Sequence, residues 1–337
     1  MKAQVYRLKA GSLSNMKLET IELSPPGPQE VSIAVKAIGL NFADVFAIWG
    51  LYGATPAGRF IPGLEYAGTV IAKGAEVSQY QVGDRIMGVT RFGAYASHLN
   101  IDARYVRSLP ASWNFQEGAA FLVQVLTAYY GLKRLGNIQK GQTILIHSAA
   151  GGVGILANRI AKKYDAYTIG TVGRPDKVDF LRAEGYDDVI VRDRQFRRKL
   201  TESLSDRELA IIMECIGGRI FKIGYDLLAQ QGRMIVYGSA RYASPGNRPN
   251  YLKLIYHYLT RPKIDPQKII ELNKSIMGFN LIWLYERAAL MEEVLSEVMA
   301  LNLAKPHVGH EFSFHDLPDA IRLFQTGKTI GKVVVNV

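Results

Sequence analysis

The segment from Ile144 to Gly154 reads Ile-Leu-Ile-His-Ser-Ala-Ala-Gly-Gly-Val-Gly. Its first four residues are typical of a buried strand. The small residues that follow are typical of a tight turn, and the residues from Val153 onward are typical of a helix. Small residues let backbone N–H groups approach a pyrophosphate, and the start of a helix adds partial positive charge. Ala149 occupies the first glycine position of the G-x-G-x-x-G dinucleotide fingerprint. The expected cofactor-binding residues of this turn are Ala150, Gly151, Gly152, Val153 and Gly154.

Short apolar runs alternate with helical patterns from residue 143 to residue 279. The expected strands are 143–147, 167–172, 188–191, 209–214, 233–238 and 275–279, and the expected helices are 153–163, 176–184, 196–204 and 219–229. Repeated β-α units specify a parallel, doubly wound sheet with helices on both faces. The fold class is therefore α/β, with a Rossmann-type domain at the glycine turn.

The first 110 residues read instead as strands and turns, with glycines or prolines at short intervals. This spacing predicts a compact β-rich domain over residues 1–122. A continuous apolar helix over 118–132 marks the change to the Rossmann-type domain, expected over 123–280. That domain contains an insertion rich in Pro and Tyr, 245–266, which is a candidate lid or a long loop. Residues 281–337, with a helix over 287–301 and a closing strand over 331–335, are expected to return to the first domain.

Composition narrows the class of protein further. Hydrophobic residues make up 48% of the 337 residues and charged residues 21%, which excludes disordered and fibrous chains. Cys215 is the single cysteine, so an internal disulfide and a thiolate cluster for zinc or iron–sulfur are excluded. Charges near Met1 argue against a signal peptide, and no apolar run predicts a membrane-spanning helix. We expect a folded protein of a reducing, cytoplasmic compartment.

A net charge of +11 indicates a basic surface. The cations are densest over 192–199 and 253–268. Such a surface attracts phosphate groups, whether of a nucleotide, a nucleic acid or a lipid. The charge alone does not distinguish among these ligands. Basic helix faces that are simply solvated would look the same in the sequence.

The end of the second Rossmann strand predicts which dinucleotide binds. An NAD site expects an Asp or Glu there, to accept a hydrogen bond from the ribose 2′-hydroxyl. The sequence has Gly173 at this point, followed by Arg174 and Lys177, which favours a 2′-phosphate and therefore NADPH. Arg192, after the third strand, is expected to reach the same phosphate. Alternatively, Arg174 and Lys177 only cover an exposed helical turn, whose N-cap we expect to be Asp176.

Several further stretches carry a resemblance to a known family. They are Gly39–Val45, Gly50–Tyr52, Pro62–Gly68, Gly83–Arg85, Leu126–Tyr129 and Val236–Ser239. Together with the glycine turn, they make the whole chain similar to the medium-chain dehydrogenase/reductase superfamily, and within it to the zinc-free quinone oxidoreductases. Residues 263–281 resemble the vesicle amine transport protein branch more specifically. This resemblance implies a GroES-like catalytic domain for the β-rich part.

The resemblance also marks the positions where alcohol dehydrogenases of this superfamily hold catalytic zinc. Those positions are Asn41, Leu64 and the stretch 123–126 with Gln124, which offer no thiolate, imidazole or carboxylate. We therefore expect no metal. Glu65 is interpreted as structural, and the histidines at 307, 310 and 315 lack the fixed spacing of a ligand set.

Without a metal to stabilise an alkoxide, hydride transfer to a conjugated acceptor, a quinone or an enone, is the expected reaction. By resemblance, Tyr52 is the expected hydrogen-bond and proton donor to the acceptor oxygen, and Asn41 orients the substrate or the carboxamide. Either side chain could instead serve the local structure. The resemblance places Gln124, Thr127, Gly238, Ser239, Phe279 and Asn280 around the nicotinamide, although Phe279 could instead be a core residue.

Two other functions remain open at this point. The chain could be a dinucleotide-binding protein whose cleft or basic surface holds a lipid or a membrane, with residues 251–263 as the contact. It could also bind RNA through the cations of 192–199. The resemblance implies a homodimer in either case, formed by pairing of the strand at 275–279 with its symmetry mate.

Overall fold

Two large β-sheets organise the chain, and the computed structural model describes all of it, residues 1–337. The strands are β1 (Lys2–Lys9), β2 (Lys17–Glu22), β3 (Glu30–Gly39), β4 (Arg59–Phe60), β5 (Glu65–Lys73), β6 (Arg85–Val89), β7 (His98–Asp102), β8 (Val106–Ser108), β9 (Thr143–His147), β10 (Tyr167–Val172), β11 (Asp188–Val191), β12 (Leu209–Glu214), β13 (Leu228–Val236), β14 (Ser275–Gly278), β15 (Val308–Ser313) and β16 (Lys332–Asn336). The helices are α1 (Phe42–Trp49), α2 (Phe115–Gly118), α3 (Leu122–Tyr129), α4 (Gly152–Lys162), α5 (Val178–Ala183), α6 (Phe196–Leu204), α7 (Gly218–Leu227), α8 (Tyr251–Leu259), α9 (Pro266–Leu272), α10 (Leu281–Leu284), α11 (Ala288–Ala300) and α12 (Leu317–Gln325).

The second sheet along the chain is parallel throughout, with the strand order β11-β10-β9-β12-β13-β14. All five residues of β9 are buried, as expected of a central strand covered on both faces. The chain proceeds from β9 to β10 on one side and later to β12 on the other, so a crevice opens at the carboxyl end of β9. The predicted α/β fold class and Rossmann-type sheet are confirmed.

Some boundaries differ from those predicted. The helix expected over 176–184 is a 3₁₀ turn, Pro175–Lys177, followed by the shorter α5. The helix expected over 219–229 ends at Leu227, because Leu228 already pairs with Leu209 at the start of β13. The helix expected over 118–132 is regular only as α3, and continues from Tyr130 as a wider π-helical turn.

The first sheet contains strands from both ends of the chain. Its order is β15-β16-β3-β5-β6-β8, and β7 pairs with the first half of β3 on the same edge where β16 pairs with its end. β1, β2 and β4 form a small separate sheet. The closing strand β16 pairs antiparallel with β3, so residues near the C-terminus lie beside residues near the N-terminus. The divisions at residues 122 and 280 stay predictions, although every strand of the parallel sheet lies between residues 143 and 278.

The insertion at 245–266 is helical where the sequence predicted a lid or a loop. It contains α8, and α9 follows it, and neither helix has a single buried residue. Large apolar side chains of α8 face outward, and Leu252 is 83% exposed. No helix of the chain combines the length and the apolar character that crossing a membrane requires.

Candidate active site

A cleft of about 680 Å³ lies between the two large sheets, at the carboxyl ends of the parallel strands. Every residue that the sequence predicted for the cofactor or for catalysis lines this one cleft. They are Asn41, Tyr52, Gln124, Thr127, Ala150, Gly151, Gly152, Val153, Gly154, Gly173, Arg174, Lys177, Arg192, Gly238, Ser239 and Phe279. The structure therefore brings the predicted residues together, while their individual roles stay predictions.

The glycine turn joins β9 to α4 at the middle of the cleft. Gly151 precedes the helix with an extended backbone and no side-chain cap, so the first N–H groups of α4 are free of any capping side chain. A β-carbon on Gly154 would stand 2.6 Å from Cα of Ala149, so only glycine fits where the helix passes the turn. Uncapped N–H groups at a helix start are suited to binding a pyrophosphate.

Gln124, on α3, lies directly against this turn. A β-carbon on Gly152 would stand 3.1 Å from Cγ and Oε1 of Gln124. The amide nitrogen of Gln124 donates to Asn41 Oδ1 at 2.7 Å and to Glu65 Oε1 at 2.9 Å. Gln124 thus connects the glycine turn to the cleft floor. Thr127, one turn further along α3, donates its hydroxyl to the carbonyl of Val123 at 2.7 Å.

A buried ion pair forms the floor of the cleft. The ammonium of Lys332 contacts Glu65 Oε1, and the two residues are only 3% and 1% exposed. The other carboxylate oxygen, Oε2, accepts the backbone N–H of Val123 at 3.1 Å. Lys332 also donates to Asn41 Oδ1 at 3.0 Å. The structural interpretation of Glu65 agrees with this bonding, whereas the partner of Glu65 was not found from the sequence.

Both polar atoms of the Asn41 side chain have hydrogen-bond partners within this network. Its Oδ1 accepts from Gln124 and Lys332, and its Nδ2 donates to Gly39 O at 3.2 Å and to Glu65 Oε1 at 3.0 Å. Orienting a substrate, as the sequence predicted, would require one of these bonds to break. The geometry supports instead the local structural role that the sequence left open.

Asp44 holds the backbone around Asn41. One of its oxygens, Oδ2, accepts the N–H of Asn41 at 2.8 Å and the hydroxyl of Tyr95 at 3.0 Å. Burial raises the pKa of Asp44 to about 7, and these two hydrogen bonds oppose the rise. Burial also shifts the pKa of Lys332, in this case downwards, and the negative charge of Glu65 opposes the shift.

Tyr52 lines the cleft, and its ring packs edge-on against Phe92. Its hydroxyl donates to Asn280 Oδ1 at 2.7 Å. Burial raises the pKa of Tyr52 to about 12, so the hydroxyl keeps its proton at neutral pH. Asn280, which also lines the cleft, fixes the direction of this hydroxyl.

The three cations expected at the 2′-phosphate have different surroundings. Arg174 is exposed and pairs with Asp176 at 3.0 Å, so Asp176 is not the N-cap that the sequence predicted. Lys177 is buried, and its ammonium donates to the carbonyls of Gly327 at 2.8 Å and Thr329 at 2.6 Å. Arg192 donates only Nη1, to Thr171. Lys177 thus fastens the C-terminal segment to the Rossmann-type domain, a role that the sequence did not reveal.

The far end of the cleft is formed by Gly238, Ser239 and Phe279, after β13 and β14. A β-carbon on Gly238 would stand 3.1 Å from Cβ of Cys215, which explains the small residue. Burial raises the pKa of Cys215, which fits packing and not nucleophilic reactivity. The ring of Phe279 packs against Tyr130.

Two family models match the chain. The alcohol dehydrogenase GroES-like domain matches residues 27–111, and the zinc-binding dehydrogenase domain matches residues 152–296. A curated relative, the human synaptic vesicle membrane protein VAT-1 homolog, is 31% identical over 330 residues, which cover 96% of this chain and 84% of the relative.

Solved structures share the whole fold. The CurK enoyl reductase is 28% identical, with a TM-score of 0.84 and 99% of each chain covered. Mycobacterial Rv1454c complexed with NADPH is 25% identical, with a TM-score of 0.86, and the match covers 99% of this chain and all of that one.

The name of the second family model includes zinc, and the cleft floor does not fit that metal. The positions that the resemblance marks for zinc hold Asn41, Leu64 and Gln124. The ammonium of Lys332 donates to Asn41 Oδ1 and contacts Glu65, and it would repel a metal cation there. No group of three or more His, Cys, Asp and Glu side chains is placed to hold a metal, and His307, His310 and His315 are no exception.

The ion pair at the floor predicts a large stability effect. Lys332→Met leaves the Glu65 carboxylate buried without a cation, and we expect it to lower the free energy of unfolding by about 3–5 kcal/mol. Lys140→Met is the matched control, because it breaks the exposed pair with Asp165, worth about 0–1 kcal/mol. Urea unfolding of both variants measures the difference. Equal losses in the free energy of unfolding would contradict the prediction, because they would show that burial does not increase the cost of breaking the pair.

Asp44 predicts a pH dependence. A carboxyl whose pKa rises on folding, here from 3.8 to about 7, adds stability that is fully present below the unfolded pKa and is lost as the pH rises through about 7. Wild type should therefore lose stability relative to Asp44→Asn between about pH 4 and about pH 7, with no further change above that pH. Urea unfolding across this range measures it, with the exposed Asp319→Asn as control. Parallel pH profiles for wild type and Asp44→Asn would contradict the prediction.

Proposed function

The chain belongs to the medium-chain dehydrogenase/reductase superfamily, as its sequence predicted, and it is similar to the VAT-1 branch. From this premise we propose that it is an NADPH-dependent, metal-independent oxidoreductase that reduces a quinone or an α,β-unsaturated carbonyl compound. One observation carries the proposal: a dinucleotide-type glycine turn and a floor without metal-ligating side chains share a single cleft.

NADPH is supported as the cofactor by the charge at the end of β10 and by the likeness to Rv1454c, which was solved with NADPH. When bound, NADPH supplies the hydride. The free N–H groups at the start of α4 would hold the pyrophosphate, and Arg174 and Arg192 would face the 2′-phosphate. Gln124 and Thr127 would position the nicotinamide from α3, with Ser239 and Phe279 on its other side.

Tyr52 is the proposed donor to the acceptor oxygen. Hydride addition to a conjugated carbonyl places negative charge on its oxygen, as an enolate or a hydroquinone anion, and a nearby hydroxyl stabilises that charge. Tyr52 keeps its proton because its pKa is about 12. Its hydroxyl donates to Asn280 Oδ1 at 2.7 Å, so it would turn from Asn280 to the acceptor oxygen when the acceptor binds. The likeness to the CurK enoyl reductase supports an enoyl-type acceptor. Asn41 would act indirectly, by holding Gln124.

A homodimer in the cytoplasm completes the proposal. β14 is an edge strand of the parallel sheet, with β13 on one side only. A second copy pairing along β14 would cover this edge and continue the sheet.

A second function, binding to an anionic membrane surface, is favoured by α8. Its exposed side chains include Leu252, Ile255 and Leu259, and the nearby cations at 253, 261, 263 and 268 suit an anionic lipid surface. RNA binding through residues 192–199 has less support. Arg197, Arg198 and Lys199 are each paired with an acidic side chain of the chain itself.

Reductase activity gives the first test. The protein should oxidise NADPH when supplied with an enone or a quinone, measured by the absorbance of the reduced cofactor. Tyr52→Phe should lower kcat by roughly a hundredfold if the hydroxyl donates the proton. Tyr242→Phe is the control, since its hydroxyl bonds His257 O, away from the cleft lining. No oxidation across a panel of acceptors, with NADPH bound, would refute the function; unchanged turnover in Tyr52→Phe would refute only the role of Tyr52.

Membrane binding is tested separately by co-sedimentation with vesicles. Wild type should sediment with vesicles rich in phosphatidylserine at low salt, and Leu252→Asp combined with Ile255→Asp should abolish it, because both apolar side chains are exposed. The same double change should leave NADPH oxidation intact. Sedimentation of the double variant equal to wild type would remove α8 as the contact.

A further inference from the structure

Four buried or half-buried polar side chains form a row beneath the cleft, at the carboxyl ends of neighbouring parallel strands. We refer to Arg192, Thr171, His147 and Glu214 as the polar row. They follow or end β11, β10, β9 and β12. Thr171, His147 and Glu214 are fully buried. None of the chemistry proposed for the acceptor uses His147, Thr171 or Glu214.

The hydrogen bonds of the polar row have a single consistent direction. Nη1 of Arg192 donates to the hydroxyl oxygen of Thr171 at 2.7 Å and to its carbonyl oxygen at 2.9 Å. The Thr171 hydroxyl oxygen and His147 Nδ1 are 2.7 Å apart. Since a guanidinium only donates, the hydroxyl oxygen accepts from Arg192. Nδ1 of His147 is the one remaining partner of this buried hydroxyl, so the hydroxyl proton is hydrogen-bonded only if it goes to Nδ1. The other ring nitrogen of His147, Nε2, must then carry the proton.

The carboxylate of Glu214 closes the row. His147 Nε2 lies 3.3 Å from Glu214 Oε2 without the geometry of a hydrogen bond, and both atoms are otherwise unpartnered. The other oxygen, Oε1, accepts the backbone N–H groups of Ile216 at 2.5 Å and Gly217 at 2.7 Å. Burial, together with the positive charge of Arg192, holds the pKa of His147 well below its usual range, so the ring is neutral. A cation thus stands at one end of the polar row and a carboxylate at the other, joined by two neutral groups of fixed orientation.

Two nitrogen donors of the Arg192 guanidinium have no hydrogen-bond partner within the protein. Its Nε and Nη2 make no hydrogen bond within the protein, and Nη2 lies 3.4 Å from the place where a β-carbon on Gly173 would stand, at the cleft. The other two cations of this region are engaged, Arg174 with Asp176 and Lys177 with two carbonyls. Arg192 therefore offers the fork of donors that a phosphate group would find free.

We propose that Thr171 and His147 are positioning residues for Arg192, and that the polar row sets the preference for a 2′-phosphorylated dinucleotide. This inference rests on the proposed NADPH site. The hydroxyl of Thr171 holds one nitrogen of the guanidinium, which leaves Nε and Nη2 directed at the phosphate. His147 fixes the orientation of that hydroxyl, because its neutral Nδ1 can only accept.

Binding measurements without any acceptor test the inference. Dissociation constants for NADPH and NADH are measured by fluorescence titration for wild type and for Arg192→Ala, Thr171→Val, Thr171→Ser, His147→Leu and Thr168→Val. Thr171→Val should weaken NADPH binding about tenfold, the value of one charge-assisted hydrogen bond, with NADH binding changed less than about twofold. His147→Leu should act in the same direction by about fivefold. Thr171→Ser keeps the hydroxyl and should restore the wild-type ratio.

Thr168→Val separates positioning from stability. Thr168 is a second fully buried threonine of β10, and its hydroxyl donates to Asp187 at 3.2 Å, away from Arg192. It should lower the melting temperature as Thr171→Val does, while its ratio of NADPH to NADH affinity stays that of wild type. If Thr171→Val does not fold, His147→Leu carries the same test.

The outcomes distinguish the inference from the proposed function. If Arg192→Ala abolishes the preference for NADPH while Thr171→Val and His147→Leu keep it, the polar row has no positioning role and the inference is wrong. If wild type shows no preference for NADPH, or Arg192→Ala keeps it, the proposed 2′-phosphate site falls and the inference falls with it. Equal weakening of NADPH and NADH by Thr171→Val also overturns the inference, since it would show a general structural effect.

Discussion

The buried pair of Lys332 and Glu65 is the interaction on which the geometry of the cleft depends. A carboxylate that is 1% exposed is very costly to bury unless a cation and hydrogen bonds satisfy it. Lys332 comes from the closing strand β16 and Glu65 from β5, so the pair forms only once the chain has returned to its first sheet. Asn41 and Gln124 take their positions from this pair, and Gln124 in turn lies against the glycine turn.

The segment just before Lys332 fastens the two halves of the chain together. Gly331 donates its N–H to the carbonyl of Ala150, within the glycine turn, at 2.8 Å. The ammonium of Lys177 donates to the carbonyls of Gly327 and Thr329 in the same segment. These bonds join residues of the last strand region to the dinucleotide-type turn and to the end of β10. The two walls of the cleft are thus set relative to each other by one lysine side chain and by backbone groups of the last segment, and those backbone groups leave no signature in the sequence.

This explains which features the sequence could predict. Local patterns predicted the parallel sheet and the turn at Gly151, because strand periodicity and the need for small residues are properties of neighbouring positions. The resemblance supplied Tyr52 and Gln124. Lys332 and the anchoring role of Lys177 were missed, since each depends on a partner more than 140 positions away. The one local hint was a lysine at the start of the apolar run 333–335.

The charge of the cleft floor bears on the kind of acceptor it favours. Lys332 and Glu65 cancel, so the floor presents amide dipoles from Asn41 and Gln124 and no net positive charge. A localised alkoxide needs a strong electrophile such as a metal cation, whereas an enolate or a hydroquinone anion spreads its charge and needs only hydrogen bonds. In the proposed reaction Tyr52, which keeps its proton, would give such a bond by exchanging Asn280 Oδ1 for the acceptor oxygen. An internally neutralised pair at the floor is therefore consistent with the proposed conjugated acceptor.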